Sequence, residues 1–179
     1  CDTLLLSVGL IPENELTVGA GIRMDPVTGG ADVNQHRETS AEGIYACGNA
    51  LHVHDLVDYV SEEAEIAGRA AAQRIQAMEK QSAHTITVKT GFGVRYSVPQ
   101  RIDVTDGVED VRLFFRVGDP YKKVRVLVTD EQGNAIAKRA RNAVAPGEME
   151  SITLKADAIR MLADSGCTQI GLCLEQMEV

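Results

Sequence analysis

The 179-residue chain has a net charge of −8 and 44% hydrophobic residues, with few aromatic residues and no Trp. No run approaches the roughly 20 apolar residues of a membrane span, and the N-terminus lacks the basic and then apolar profile of a signal peptide. Residues 1–83 hold 13 acidic and 5 basic side chains, which argues against a nucleic-acid partner, whereas residues 84–179 hold 13 of each.

The chain opens on a run that is apolar on both faces, from Asp2 to Val8, and this pattern predicts a buried, parallel strand. Such a strand needs neighbours and covering layers that the following sequence is too short to supply. We therefore expect the chain to be a piece of a longer polypeptide. Pro12 and Asn14 indicate a turn at 10–15, followed by a small meander over 16–33 and a strand at 43–47.

Apolar residues recur with a 4-4-3-4-4-3 spacing from residue 56 onward, which predicts one long amphipathic helix. Asp55 or Asp58 can cap its start, and Glu65 can pair with Arg69 one turn later. Because much of the stripe is Ala and Gly, we expect another backbone to pack close to it. The predicted stripe comprises Leu56, Val60, Ala64, Ala67, Ala71, Ile75 and Met78.

After residue 84 the hydrophobic period changes to two, which predicts strands. The candidate strands are 84–89, 92–98, 111–117, 122–129, 134–141, 149–155 and 168–175, with a short helix near 157–163. Residues 130–134 form a hairpin turn between two alternating runs. Seven short strands favour a β-sandwich over 84–179, with an immunoglobulin-like arrangement as one form. The polar stretch from Lys80 to Ala83 coincides with the change in charge, so we place a domain boundary after residue 83.

Two cofactor motifs are excluded by spacing. Gly19–Gly21 and Gly91–Gly93 lack the third glycine of a G-x-G-x-x-G loop, so both are predicted turns or bulges. The cysteines form no C-x-x-C pair, so neither a zinc site nor an iron–sulfur cluster is predicted. We expect reduced thiols in a cytoplasmic protein, with Cys167 and Cys173 both free and buried.

His52, His54 and Asp55 are ligand-type residues at close spacing ahead of the helix. A zinc site needs a third and a fourth ligand at defined spacing, and neither His36 nor His84 supplies one, so no metal site is predicted. The alternative is a polar loop that leads into the N-terminus of the helix.

Residues 1 to about 80 resemble the C-terminal part of a two-dinucleotide-domain flavoprotein of the pyridine nucleotide-disulfide oxidoreductase type. TSAEGIYACGN, residues 39–49, is similar to the second flavin-binding motif, which usually ends in Gly-Asp. Residues 9–14, GLIPEN, are similar to the G-x-x-P-N segment that returns from the NAD(P) domain to the FAD domain, and residues 21–25 fit between the two. Residues 47–63 resemble the branch of anaerobic glycerol-3-phosphate dehydrogenase-like proteins and the sarcosine oxidase α subunit.

The resemblance implies an oxidoreductase with FAD as cofactor and NAD(P)H as co-substrate of the parent. Gly48 would let the backbone approach the ligand closely, and Asn49, where the family usually has Asp, would hydrogen-bond the ribityl or phosphate region. The helix would direct the amides of Asp58 and Tyr59 at the pyrimidine carbonyl of the flavin. The catalytic residues stay unassigned, because no redox-active dithiol is visible.

The resemblance also places His52 and His54 near the rim of this loop. Since the chain has no pyrophosphate loop and no NAD domain, we expect it alone to be inactive and to bind FAD weakly or not at all. A second hypothesis makes the β-sandwich a module that docks a partner subunit. The exposed apolar faces predict that the fragment associates with itself.

Overall fold

Strands dominate this mixed α/β fold, of which the computed structural model describes residues 2–6, 9–76, 84–105 and 107–177. The helices are α1 (Glu15–Gly19), α2 (Val57–Gln76) and α3 (Ala156–Asp164), and a short 3-10 helix spans Gly48–Ala50. The strands are β1 (His84–Thr90), β2 (Val94–Val98), β3 (Arg101–Val104), β4 (Val111–Val117), β5 (Tyr121–Thr129), β6 (Ala135–Val144), β7 (Glu150–Leu154) and β8 (Gln169–Gln176).

The strands form two sheets that pack over a shared core. One sheet has the order β3-β1-β8-β5-β6 and the other the order β2-β4-β7. β1 and β8 run parallel, and the other paired strands run antiparallel. Val126 of β5, Leu113 of β4 and Ile159 of α3 are fully buried in this core. We call residues 84–176 the two-sheet unit.

The seven strands and the short helix predicted for the two-sheet unit are all present, within a few residues of the predicted ends. The sequence pattern misses β3, which has only four residues and directly follows the turn at Pro99. The five-plus-three arrangement with α3 before β8 differs from the four-plus-three immunoglobulin-like form. The hairpin turn is confirmed, since Asp130 Oδ1 accepts the amides of Gln132 and Asn134.

The opening apolar run is not a strand in residues 2–6, so the prediction of a buried strand from Asp2 to Val8 is wrong for this part. Leu4, Leu5 and Leu6 are 79%, 90% and 75% exposed. A strand needs a neighbouring backbone to satisfy its amides and carbonyls, and no described strand forms a ladder with Leu4–Leu6. Residues 7 and 8 lie outside the described residues.

Residues 15–47 contain turns and single bridges where a meander and a strand are predicted. α1 occupies the start of the predicted meander at 16–33, and the rest of the meander contains a single bridge, between Met24 and Ala31. The predicted strand from 43 to 47 reduces to the bridge between Glu38 and Tyr45, because Gly43 turns the chain at a φ of +74°. The predicted turns at Gly19–Gly21 and Gly91–Gly93 are confirmed.

The long helix is confirmed as α2, but its buried face differs from the predicted stripe. Glu63 and Ala67 are its buried residues, whereas Leu56, just before the helix, is 54% exposed and Ile75 is 88% exposed. No neighbouring atom lies within 4 Å of the Cβ position at Gly68, so the close backbone expected there is absent from the described residues. Met78 and the polar stretch 80–83 lie outside the described residues. In the described part of the chain, no helix has both the length and the apolar character needed to cross a membrane.

Residues 9–76 pack directly on the two-sheet unit. The backbone amide of Val33 donates to the side-chain Oε1 of Gln100 at 3.0 Å. The backbone amide of Gln100 donates in turn to the carbonyl of Val33 at 3.1 Å. Arg101 pairs with Asp32 and donates to the carbonyl of Thr39 at 2.7 Å. The apolar contact consists of Ile22, Ala31, Val33, Leu51, Tyr96 and Val98. The domain boundary after residue 83 remains a prediction, and polar as well as apolar contacts link the two sides.

Candidate functional site

The loop from Gly48 to Asp55, which we call the 48–55 loop, leads into α2 and contains most of the predicted site residues. Gly48 is buried at a φ of +67°, a conformation that favours glycine. Its amide donates to Glu63 Oε2 at 3.0 Å, and a Cβ at this position would lie 3.1 Å from Val60 Cγ1. Both the backbone conformation and the contact with α2 therefore require a small residue here.

The imidazoles of His52 and His54 are buried, so their predicted place at the loop rim is wrong. Their ring centroids lie 4.2 Å apart. Phe114 contacts both rings edge-on, at 6.3 and 6.1 Å between centroids. The histidines hold the inner side of the loop and are shielded from solvent.

Glu63 of α2 is the acceptor that organises this buried group. Its Oε1 lies 3.1 Å from His52 Nε2 and its Oε2 lies 2.9 Å from His54 Nε2. Because an ionised carboxylate only accepts hydrogen bonds, both imidazoles carry their proton on Nε2. Neither Nδ1 has a partner among the described residues.

Arg37 completes what we call the buried cluster, which consists of Arg37, His52, His54 and Glu63. Arg37 Nε donates to Glu63 Oε1 at 3.0 Å, with side-chain exposures of 1% and 0%. Arg37 has a φ of 66°, unusual for a residue with a side chain. This backbone conformation brings a residue from the distant 34–39 turn against α2, so the cluster joins three separate segments.

The charges of the buried cluster balance. Burial raises the pKa of Glu63, but hydrogen bonds from His52 and His54 and the charge of Arg37 outweigh it and hold this pKa well below the usual range. Burial lowers the pKa of His52 despite the carboxylate beside it, so His52 is neutral at pH 7. Glu63 and Arg37 therefore form one compensated ion pair, with the neutral His52 as a further donor to the carboxylate.

His52, His54 and Glu63 each offer a ligand atom, and these atoms lie within 4.8 Å of one another. Ligation of a metal through Nε2 would move each imidazole proton to a buried Nδ1 that has no acceptor, whereas metal-binding histidines usually donate from their other nitrogen. The guanidinium of Arg37 already occupies one side of the carboxylate. The donor set therefore fits a closed hydrogen-bonded cluster better than a cation site.

The sequence suggests two roles for Asp55, as a helix cap or as a metal ligand, and the structure shows a different one. Its carboxylate pairs with Arg116 of β4 and accepts the backbone amide of Met149. Both partners come from the two-sheet unit. Asp55 thus attaches the end of the 48–55 loop to that unit.

The other predicted cofactor-binding residues lie beside this loop. Asn49 is exposed, and its Oδ1 accepts the His54 amide at 3.1 Å. Asp58 is exposed in the first turn of α2, where backbone amides have no acceptor within the helix. The Tyr59 amide donates to the Leu56 carbonyl at 3.2 Å, and the Tyr59 ring packs 5.5 Å from that of Phe114. The predicted role of the Tyr59 amide is therefore weakened, whereas Asn49 and Asp58 remain accessible.

Sequence reasoning missed Glu63, Arg37 and the arginines of β4. A signal existed for Glu63, since it lies three residues after Val60 and four before Ala67, on the side of the helix that carries the predicted apolar stripe. β4 also carried a signal, because Arg112, Phe114 and Arg116 alternate with apolar residues and share one face. No sequence signal pointed to Arg37, because its role depends on a turn conformation that the local sequence does not specify.

The three described cysteines are not members of the buried cluster, although Cys47 lies close enough to feel the charge of Glu63. Cys47, Cys167 and Cys173 are free, and Cys167 is buried whereas Cys173 is half-buried. Burial raises the pKa of Cys47, with Glu63 adding to the effect, which disfavours a reactive thiolate. The expectation of free thiols is confirmed for these three residues.

Comparison of the chain with protein-family models, with curated proteins and with solved structures returned no match. The assignment of a function therefore depends on the motifs of the chain and on their arrangement in space. Asn14 of the motif at 9–14 donates to the carbonyl of Ala50, the residue that follows the motif at 39–49.

Proposed function

We propose that the chain is the C-terminal part of an FAD-dependent, NAD(P)H-linked oxidoreductase, with Gly48, Asn49 and the start of α2 against the flavin. FAD would supply the ring that accepts a hydride from the nicotinamide. The residues of this chain would bind and orient that ring. The proposal starts from the resemblance of residues 39–49 and 9–14 to two motifs of that flavoprotein class.

The contact that best supports the proposal is made by Asn14. Its side-chain nitrogen donates to the carbonyl of Ala50 at 2.7 Å and to the carbonyl of Gly29 at 2.9 Å. One side chain of the G-x-x-P-N-like segment therefore holds the residue that directly follows Gly48 and Asn49. Two motifs separated by 24 residues are thus linked by one hydrogen bond at the end of the second, as expected if they serve one site.

The exposed donors near the 48–55 loop suit an electron-rich, anionic cofactor edge. The side-chain nitrogen of Asn49 has no partner among the described residues, and its amide can donate where the family has a carboxylate. At the start of α2, Val57 is 75% exposed and Asp58 is also exposed, and their backbone amides have no acceptor within the helix, whereas the Tyr59 amide is already bonded to Leu56. A helix N-terminus favours negative charge, which a reduced flavin develops on its pyrimidine side.

Several apolar side chains between residues 4 and 18 are exposed, as the proposal predicts for a segment that other domains of the parent would cover. These exposed residues are Leu4, Leu5, Leu6, Leu10, Ile11, Leu16 and Val18. In soluble proteins, a group of exposed apolar side chains is typical of an interaction site when its members form one patch. In the proposed parent, its nucleotide-binding domains would cover these side chains.

The experiment compares the 179-residue chain with the longer polypeptide that carries it. We expect the longer protein to purify with about one FAD per chain and to reduce a dye with NADH or NADPH, and the 179-residue chain to be colourless. A longer protein that neither contains nor binds FAD would refute the proposal. A 179-residue chain that holds stoichiometric flavin would refute the claim that it needs the missing domains.

A matched pair of variants tests the assignment of Asn49 in the longer protein. Asn49→Leu removes the exposed amide and is expected to weaken FAD binding about tenfold, which corresponds to one hydrogen bond to a charged group. Asn142→Leu makes the same change on the exposed part of β6 and should leave FAD affinity unchanged. Equal affinities for the two variants would remove Asn49 from the site.

A further inference from the structure

β4 has two faces with different roles. Its core side chains are Val111, Leu113, Phe115 and Val117. The side chains of its opposite face are Arg112, Phe114 and Arg116, and they contact residues 37–63. We infer that this second face, which we call the platform, holds the 48–55 loop and the start of α2 in position, with Arg116 as the positioning residue. The two-sheet unit then forms a structural support for the candidate site.

Arg116 binds four groups on three segments of the chain, two of them in the 48–55 loop. Its Nε donates to the Tyr96 hydroxyl at 3.2 Å, and its terminal nitrogens donate to the carbonyls of Pro146 and Val53 at 3.1 and 3.0 Å. It also pairs with Asp55, and its side chain is only 15% exposed. Bonds of this number and burial fix a loop more firmly than a surface ion pair does, since charge-assisted hydrogen bonds are stronger when shielded.

Asp55 lies two residues before α2 begins, so its position sets where the helix starts. One carboxylate oxygen binds Arg116 of β4, and the other accepts the amide of Met149, just before β7. Two elements of the two-sheet unit therefore hold the same side chain. Because α2 is continuous from Val57, movement at Asp55 would displace its exposed first turn.

Arg112 and Phe114 fix the next two turns of α2. Arg112 donates to both carboxylate oxygens of Glu62 at 2.9 Å, and its guanidinium lies 5.4 Å from the ring centre of Tyr59. Phe114 is fully buried between Arg112 and the imidazoles of His52 and His54. The platform thus contacts the buried cluster, the end of the loop and the beginning of the helix.

The identity of the site as a flavin site rests on the proposed function, whereas the positioning can be measured without any cofactor. In the 179-residue chain, Arg116→Lys and Asp55→Asn should each speed hydrogen exchange at residues 53–59 at least tenfold, with exchange in β5 and β8 unchanged. Arg125→Lys is the control, because Arg125 makes a half-exposed cross-strand pair with Glu175 away from the loop. Exchange at 53–59 that matches wild type in both variants would overturn the inference, and so would an equal increase along the whole chain.

The flavin readout uses the same variants in the longer polypeptide. Asp55→Asn should shift the visible absorption maximum of the bound flavin and lower FAD affinity about tenfold, while Arg125→Lys leaves both unchanged. Wild-type protein without flavin, combined with faster exchange in the variants, would refute the proposed function and support the positioning role. Bound flavin with an unchanged spectrum and affinity in Asp55→Asn would overturn the inference and leave the proposed function standing.

Discussion

Arg37 and Glu63 form an ion pair that is closed to solvent, with 3.0 Å between Arg37 Nε and Glu63 Oε1 and at most 1% exposure of either side chain. Two buried imidazoles donate to the same carboxylate. A buried charge is tolerated only when its partners are complete. The pair therefore makes the local fold depend on three segments being in place together.

Loss of the Glu63 charge should be among the most damaging conservative changes in this chain. Glu63→Gln leaves Arg37 buried without a counter-ion, which is expected to cost about 3–5 kcal/mol of the free energy of unfolding. Glu65→Gln makes the same change two residues later on the exposed side of α2, where Glu65 pairs with Arg69, and should cost about 0.5 kcal/mol or less. Urea unfolding of both variants measures the difference, and equal losses would mean that the buried pair has no special role.

Acid should destabilise the fold in two stages. Burial lowers the folded-state pKa of His52 and of His36 below 6.5, and the pKa of Glu63 lies below 4.5. In each case the unfolded chain takes up its proton first as the pH falls. The stability from the two neutral histidines is therefore complete above about pH 7 and is lost below it, and the stability from Glu63 is lost in a second stage that begins near pH 4.5. Each proton contributes a slope of up to about 1.4 kcal/mol per pH unit.

Urea unfolding between pH 8 and pH 5 tests the first stage of this decline. His36→Gln removes one of the two histidine contributions and should reduce the slope by about half, whereas the contribution of His52 remains. A stability that stays level from pH 8 to pH 5 in the wild-type chain would contradict the neutral, buried state of His52.

Divalent zinc should not stabilise the chain, although His52, His54 and Glu63 lie within ligand distance of one another. The carboxylate already accepts bonds from Arg37, Gly48 and both imidazoles, and an ion would have to displace them. The melting temperature with equimolar zinc measures this directly. An increase in the wild type that disappears in His54→Gln would show that the buried cluster binds metal after all.

Two glycines near α2 should respond in opposite directions to the same substitution. Gly48→Ala places a side chain at a φ of +67° and 3.1 Å from Val60 Cγ1, which should cost about 1–2 kcal/mol. Gly68→Ala lies in the middle of α2 with open space around it and should stabilise by about 0.5–1 kcal/mol. Thermal or urea unfolding measures whether each variant loses or gains stability. A Gly48→Ala variant as stable as the wild type would contradict the close approach of the loop to the helix.

The sequence by itself determined the elements whose hydrophobic period is regular. Alternation predicts the strands of the two-sheet unit, because each buries one face in the shared core, as Val124, Val126 and Val128 do. A 3.6-residue period likewise predicts α2. Period alone does not say which neighbour a segment meets, so the opening run at Leu4–Leu6 was predicted to be a strand when no described strand forms a ladder with it.

Only the tertiary structure decided the candidate site. The sequence drew attention to Gly48, Asn49 and the histidines, because their types and spacing are unusual within one short stretch. It could not bring Glu63 and Arg37 to His52, since buried polar partners are chosen by distance in space and by the need to compensate a desolvated charge. Nor could it show that the platform on β4 holds the 48–55 loop, because that contact joins residues about 60 positions apart in the chain.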